Sequence, residues 1–98
     1  MPPENYYEQL EQELNEILQL TQFVLTKEDI KDVIDKIENR EYGIAIQSLG
    51  YILIKKNLSI SKQAVCLINN VIEKMGMKDE DDDDYWFWLE MQKYLTEP

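Results

Sequence analysis

Apolar residues recur every three or four positions along most of this chain, the spacing of helices that turn one face inward. Over residues 4–21, Tyr7, Leu10, Leu14, Ile17 and Leu18 share such a face, flanked by Glu4, Glu8, Glu11, Glu13 and Glu16. In TKEDIKDVIDKI, Ile30, Val33, Ile34 and Ile37 form a second stripe, and Thr26 with Asp29 has the form of a capping pair. Asn39 and Arg40 break the pattern. In REYGIAIQSLGYILIKKN, Tyr42, Ala45, Ile46, Leu49 and Leu53 mark one face, while Ile44, Tyr51 and Ile54 occupy others. A helix apolar nearly all round belongs in the middle of its domain, so Tyr42–Asn57 is expected to be the most buried element. Lys55 and Lys56 suit its negative C-terminal end. Gly50 reads either as a close-packing point or as a merely tolerated glycine.

Ser59 or Ser61 of LSIS caps the next helix, on which Ala64, Leu67, Ile68, Val71 and Met75 form a stripe. Gly76 ends it, with Met77 folding back onto the last turn. A final helix runs from Tyr85 to Leu95. No alternating strand pattern and no internal repeat interrupts the series. The expected fold is all-α: one small domain over 1–98, an irregular bundle of about five helices.

Composition supports a folded domain. At 98 residues and 44% hydrophobic content, the chain has the material for a core. No run of 18 apolar residues occurs, so no membrane span is predicted. The start, MPPENYYEQ, lacks a secretory pattern. A single cysteine allows no internal disulfide, and the expected location is cytoplasmic.

Charge changes the picture more. The net charge is −10, and it is uneven. Residues 1–25 carry −5, residues 26–57 are neutral, residues 58–78 carry +2, and residues 79–98 carry −7. Such a field repels nucleic acid and anionic membrane and attracts basic proteins.

Catalytic chemistry is sparse. The chain has no histidine, and Cys66 lies opposite its helix's apolar stripe without a local base, near Gln63, Asn70 and Glu73. No glycine-rich phosphate loop is present. The chain therefore reads as a non-enzyme that needs no cofactor. One metal pattern exists: with Asp79 as position 1 of a calcium loop, Asp81, Asp83 and Glu90 fall at positions 3, 5 and 12. Position 6 is Asp84, where the loop's sharp turn wants glycine.

The densest feature is KDEDDDDYWFWLEM, in which Asp79, Glu80, Asp81, Asp82, Asp83 and Asp84 run straight into Tyr85, Trp86, Phe87 and Trp88. One or two acids before a helix cap its free N–H groups. Six repel one another, which suits a docking surface for a positive partner, and equally a solvated acidic loop. At 100° per residue, Phe87, Trp88, Met91, Tyr94 and Leu95 share an inward arc. Trp86 projects away from it, and Tyr85 lies at its edge. Either Trp86 anchors a partner within an acidic surround, or another helix covers it. Glu8, Glu11 and Glu13 of the first helix are candidates to extend the same negative surface.

Residues 41–77, EYGIAIQSLGYILIKKNLSISKQAVCLINNVIEKMGM, resemble the MafI family of bacterial immunity proteins. The likeness lies in a helix opening on E-Y-G, an L-S-I-S connection and a second helix closing on M-G-M. It implies a cytoplasmic protein that binds and neutralises a cognate secreted toxin, with no binding residue carried over by motif. The acidic surface suits a toxin with a basic face, such as a nuclease domain. The expected partner is thus a basic protein toxin, bound by a protein that is monomeric when free, with neither nucleic acid nor membrane as a partner. The alternative is an acidic nucleic-acid mimic that occupies a basic protein of the host. A calcium-binding module is the third reading.

Overall fold

A computed structural model describes residues 4–96; residues 1–3 and 97–98 of the expected domain lie outside it. Five helices follow one another: α1 Glu4–Thr21, α2 Lys27–Glu38, α3 Tyr42–Lys55, α4 Lys62–Lys74 and α5 Tyr85–Thr96. No strand occurs among the described residues.

Local chemistry sets most of the boundaries. Thr26 and Asp29 form a complete capping box at the start of α2. Ser61, not Ser59, caps α4, its Oγ accepting from the Ala64 N–H at 3.2 Å. Helices α2, α3 and α4 all end in the same way. Arg40, Asn57 and Gly76 stand just past their C-caps with φ of 61°, 51° and 76°. The next residue returns its N–H to the carbonyl four places before the cap's own successor: Glu41 to Lys36, Leu58 to Leu53, Met77 to Ile72. Gly76 takes this left-handed turn freely, whereas Arg40 takes it at a cost of about 1–2 kcal/mol. The third helix therefore stops at Lys55, two residues before the expected Asn57.

Helix α3 sits at the centre and packs on all four others, while α1 lies mainly along α4. Tyr42, Ala45, Ile46, Leu49, Gly50 and Leu53 of α3 are buried. Around them close Leu10, Leu14 and Ile17 of α1, Val33 and Ile37 of α2, Ile68, Val71 and Ile72 of α4, and Phe87 and Met91 of α5. Helix α3 is not covered all round, however. Ile44 and Tyr51 stand 47% and 61% exposed, because no fifth neighbour lies against that side. Tyr7 also departs from its expected stripe. In the first turn of α1 it remains half-exposed and stacks on Tyr42, with centroids 6.3 Å apart. Tyr6 turns inward instead, and its hydroxyl donates to the Lys74 carbonyl at 2.9 Å.

Helix α5 packs chiefly on α3, so a single crossing holds the C-terminal segment. Gly50 is the close-packing point. A Cβ there would lie 2.7 Å from Met91 Sδ and 2.7 Å from the Phe87 ring. Farther along, the Tyr94 hydroxyl donates to the Leu58 carbonyl, so α5 follows α3 towards its C-terminal end.

One tie between elements is electrostatic. Lys56, at the end of α3, donates to Asp29 Oδ2 of the α2 cap at 2.8 Å. This hydrogen bond, with smaller help from Thr26, holds the Asp29 carboxyl below its ordinary range against the opposing effect of burial. A carboxyl with a lowered folded-state pKa stabilises the fold above its unfolded pKa, and that stability is lost as pH falls through the folded value. Asp29→Asn is accordingly expected to lower the unfolding midpoint at neutral pH. The gap from the native chain should close as pH drops through and below the usual carboxylate range. Thermal melts across pH check this, and a gap independent of pH would contradict it.

Candidate partner-binding surface

The acidic run is an ordered chain of turns. The N–H groups of Asp79, Asp82 and Tyr85 donate in succession to the carbonyls of Gly76, Asp79 and Asp82, three residues back each time. Two side chains serve the backbone. Asp79 Oδ1 accepts from the Asp81 N–H at 2.9 Å, and Asp82 Oδ1 from the Asp84 N–H at 2.8 Å. These are the local aspartate turns that this residue type favours. The Asp84 carbonyl then receives the Phe87 N–H at 2.9 Å, at the opening of α5.

The run therefore divides by role. Asp79 and Asp82 shape the chain, while Glu80, Asp81 and Asp83 stand exposed and Asp84 is half-buried. Every salt bridge among the described residues lies elsewhere, in Lys36–Asp32, Lys56–Asp29 and Lys74–Glu13. The nearest base, Lys78, places its ammonium 4.5 Å from the Trp88 ring centroid. Among the described residues no cation pairs with this row, so its mutual repulsion favours a positive partner from outside.

Trp86 follows two residues later and is 57% exposed. No helix covers it. Its ring meets the edge of Phe87, with centroids 5.9 Å apart, and Phe87 is itself fixed beneath it against Gly50. Tyr85 is half-buried beside the turn. Trp86 leans towards α3, where it lines an apolar groove with Tyr51 and Ile54 over a floor of Phe87. Lys55 and Glu90 border this groove, and the Lys55 ammonium lies 5.4 Å from the Tyr51 ring centroid. Tyr51 and Ile54 were not apparent as site residues from sequence. Their one signal was being apolar outside α3's buried arc.

The first-helix acids do not act together. Glu8 and Glu11 are exposed and line a second groove with Tyr7, Glu38, Arg40 and Tyr42. Glu13 does not join them. It lies about 160° round the helix from Glu11, and its carboxylate is paired with Lys74 at the end of α4. With its side chain mostly covered, Glu13 holds α1 to α4 rather than extending the negative surface. Glu8 and Glu11 do lie at the same end of the bundle as the acidic turn. Tyr7 stacks on Tyr42, and the adjoining Gly43 lies against Met75 and Met77, just before Asp79.

The calcium pattern does not converge in space. Glu90, its twelfth position, borders the groove beside Trp86. Among the described residues no group of three or more carboxylate, thiolate or imidazole side chains gathers as a metal site requires. Cys66 is exposed on α4. Another exposed apolar residue, Phe23 in the α1–α2 turn, is 89% exposed and lies outside both grooves.

Fold and surface together define a small helical domain with an acidic turn leading into an exposed tryptophan and an apolar groove. Compared with known proteins, the chain matches no family model, no curated protein and no solved structure. No helix of the described residues is long and apolar enough to cross a membrane.

Proposed function

We propose that this is a non-enzymatic immunity protein that binds a basic bacterial toxin in the cytoplasm of its producer and neutralises it by occupying its working face. One observation carries this reading: a row of unpaired carboxylates, ordered by its own turns, delivers directly into an exposed tryptophan. Charge without an anchor makes a fast but weak complex, and an anchor without charge makes a slow one. Their adjacency suits a partner that must be captured quickly and then held. The resemblance of residues 41–77 to the MafI family supports a toxin as that partner. The anionic surface favours one whose own substrate is anionic, a nuclease domain above all. Binding needs no cofactor, and the absence of histidine fits a protein that inhibits by contact.

The test is to produce this chain together with the product of the gene immediately upstream of its own. The expected result is a stoichiometric complex and the rescue of growth from that product's toxicity. Failure to bind it, combined with tight binding to a basic nucleic-acid-binding protein of the host, would replace this reading with that of a nucleic-acid mimic.

A further inference from the structure

We infer that the groove between α3 and α5 receives an amphipathic helix of the partner, with its apolar stripe on Tyr51, Ile54 and Trp86 and its lysines or arginines gathered at one end, over the acidic turn. This deepens the proposed function and rests on it. The form of the groove selects a helix. Its walls are side chains of two helices, with no free backbone edge on which an extended segment could add as a strand. A helix satisfies its own backbone and seats side chains spaced i, i+4 and i+7 between the two walls.

Charge selects the occupant and its direction. The turn that precedes α5 ends two residues before Trp86, so the chain carries the exposed Glu80, Asp81 and Asp83 into α5 at the Trp86 wall of the groove, which they do not themselves line. Along the rest of the rim Lys55 and Glu90 offset each other. The unpaired charge nearest in the chain to Trp86 is that of the acidic turn, and it is negative. A second copy of this chain is a poor occupant, since it would bring another −10 molecule against the same carboxylates. Nor do the described residues of the chain fill the groove, as Tyr51 and Trp86 remain 61% and 57% exposed.

A displayed library of random peptides about 16 residues long, roughly 24 Å as a helix, selected against the full chain, tests this inference without the toxin. Enriched peptides are expected to carry apolar residues at i, i+4 and i+7 with basic residues clustered at one end. Their affinity should fall tenfold or more on Tyr51→Asp and on Tyr51→Ala, and stay unchanged on Phe23→Ala. The aspartate variant is informative because its added charge alone would favour a basic peptide. Tyr51 is exposed, so the melting temperature of both variants should match the native chain and exclude misfolding.

Four results would overturn the inference: enriched peptides that lack the stripe, binding indifferent to Tyr51, no enrichment at all, or a dimer that Tyr51→Asp dissociates. The proposed function falls separately, through the toxin complex itself. A toxin bound with equal strength by the native chain and by Tyr51→Ala would leave the immunity reading standing and remove the groove from it.

Discussion

Leu49→Ala is expected to destabilise the domain by about 2–5 kcal/mol, since it empties a wholly buried site on the helix that every other helix touches. A domain of this size has a total stability of only about 5–15 kcal/mol, so the loss is a large fraction of the whole. The next residue makes the opposite experiment. Gly50→Ala removes the roughly 1 kcal/mol helix penalty of glycine. It also drives a methyl group to 2.7 Å from Met91 and Phe87, both of which are buried. Overpacking of this kind costs about 1–3 kcal/mol. The net outcome is destabilisation, despite the better helix former. The two variants should also differ in kind. Leu49→Ala leaves α5 in place, whereas Gly50→Ala pushes it away and alters the near-ultraviolet signal of Trp86 and Trp88. Chemical denaturation with near-ultraviolet spectra distinguishes them. An alanine at Gly50 that stabilises the fold would show that α5 is not seated on this glycine.

What could be read from the sequence was whatever depends on neighbours a few residues apart. The Thr26–Asp29 box, the cap before Ala64 and the turn at Gly76 are chemistry within one turn of chain, and all three are present. The outward direction of Trp86 also follows from helical angle alone, given the correct helix. The residues that escaped depend on contacts between distant segments. Glu13 looks like its neighbours Glu8 and Glu11 until Lys74, some 61 residues away, is brought beside it. Tyr51 and Ile54 look like core until α5 is seen to cover only part of α3. The acidic run looks uniform, and its division into turn-forming and free carboxylates emerges only from the backbone path between α4 and α5.

That division determines how the tail must be tested. Replacing Asp79 or Asp82 would remove the side chains that fold the turn and confound charge with shape. Glu80→Gln, Asp81→Asn and Asp83→Asn together remove three free charges and leave those hydrogen bonds in place. Exposed charges act over about 8 Å at physiological salt. The triple variant is therefore expected to slow association with the proposed toxin about tenfold or more at low ionic strength and to flatten its salt dependence, with dissociation little changed. Trp86→Ala removes an apolar contact instead. An aromatic anchor of this type is worth about 2 kcal/mol or more, so dissociation should accelerate by roughly 30-fold at every salt concentration.

The most direct measurement is the pair of rate constants for the native chain, the triple charge variant and Trp86→Ala binding the toxin across a salt series. A clean separation is expected: the charge variant changes association, in a way that salt abolishes, and the tryptophan variant changes dissociation, in a way that salt does not. Native rates in both variants would contradict it, placing the binding face elsewhere and leaving the acidic turn as a solvated lead into α5.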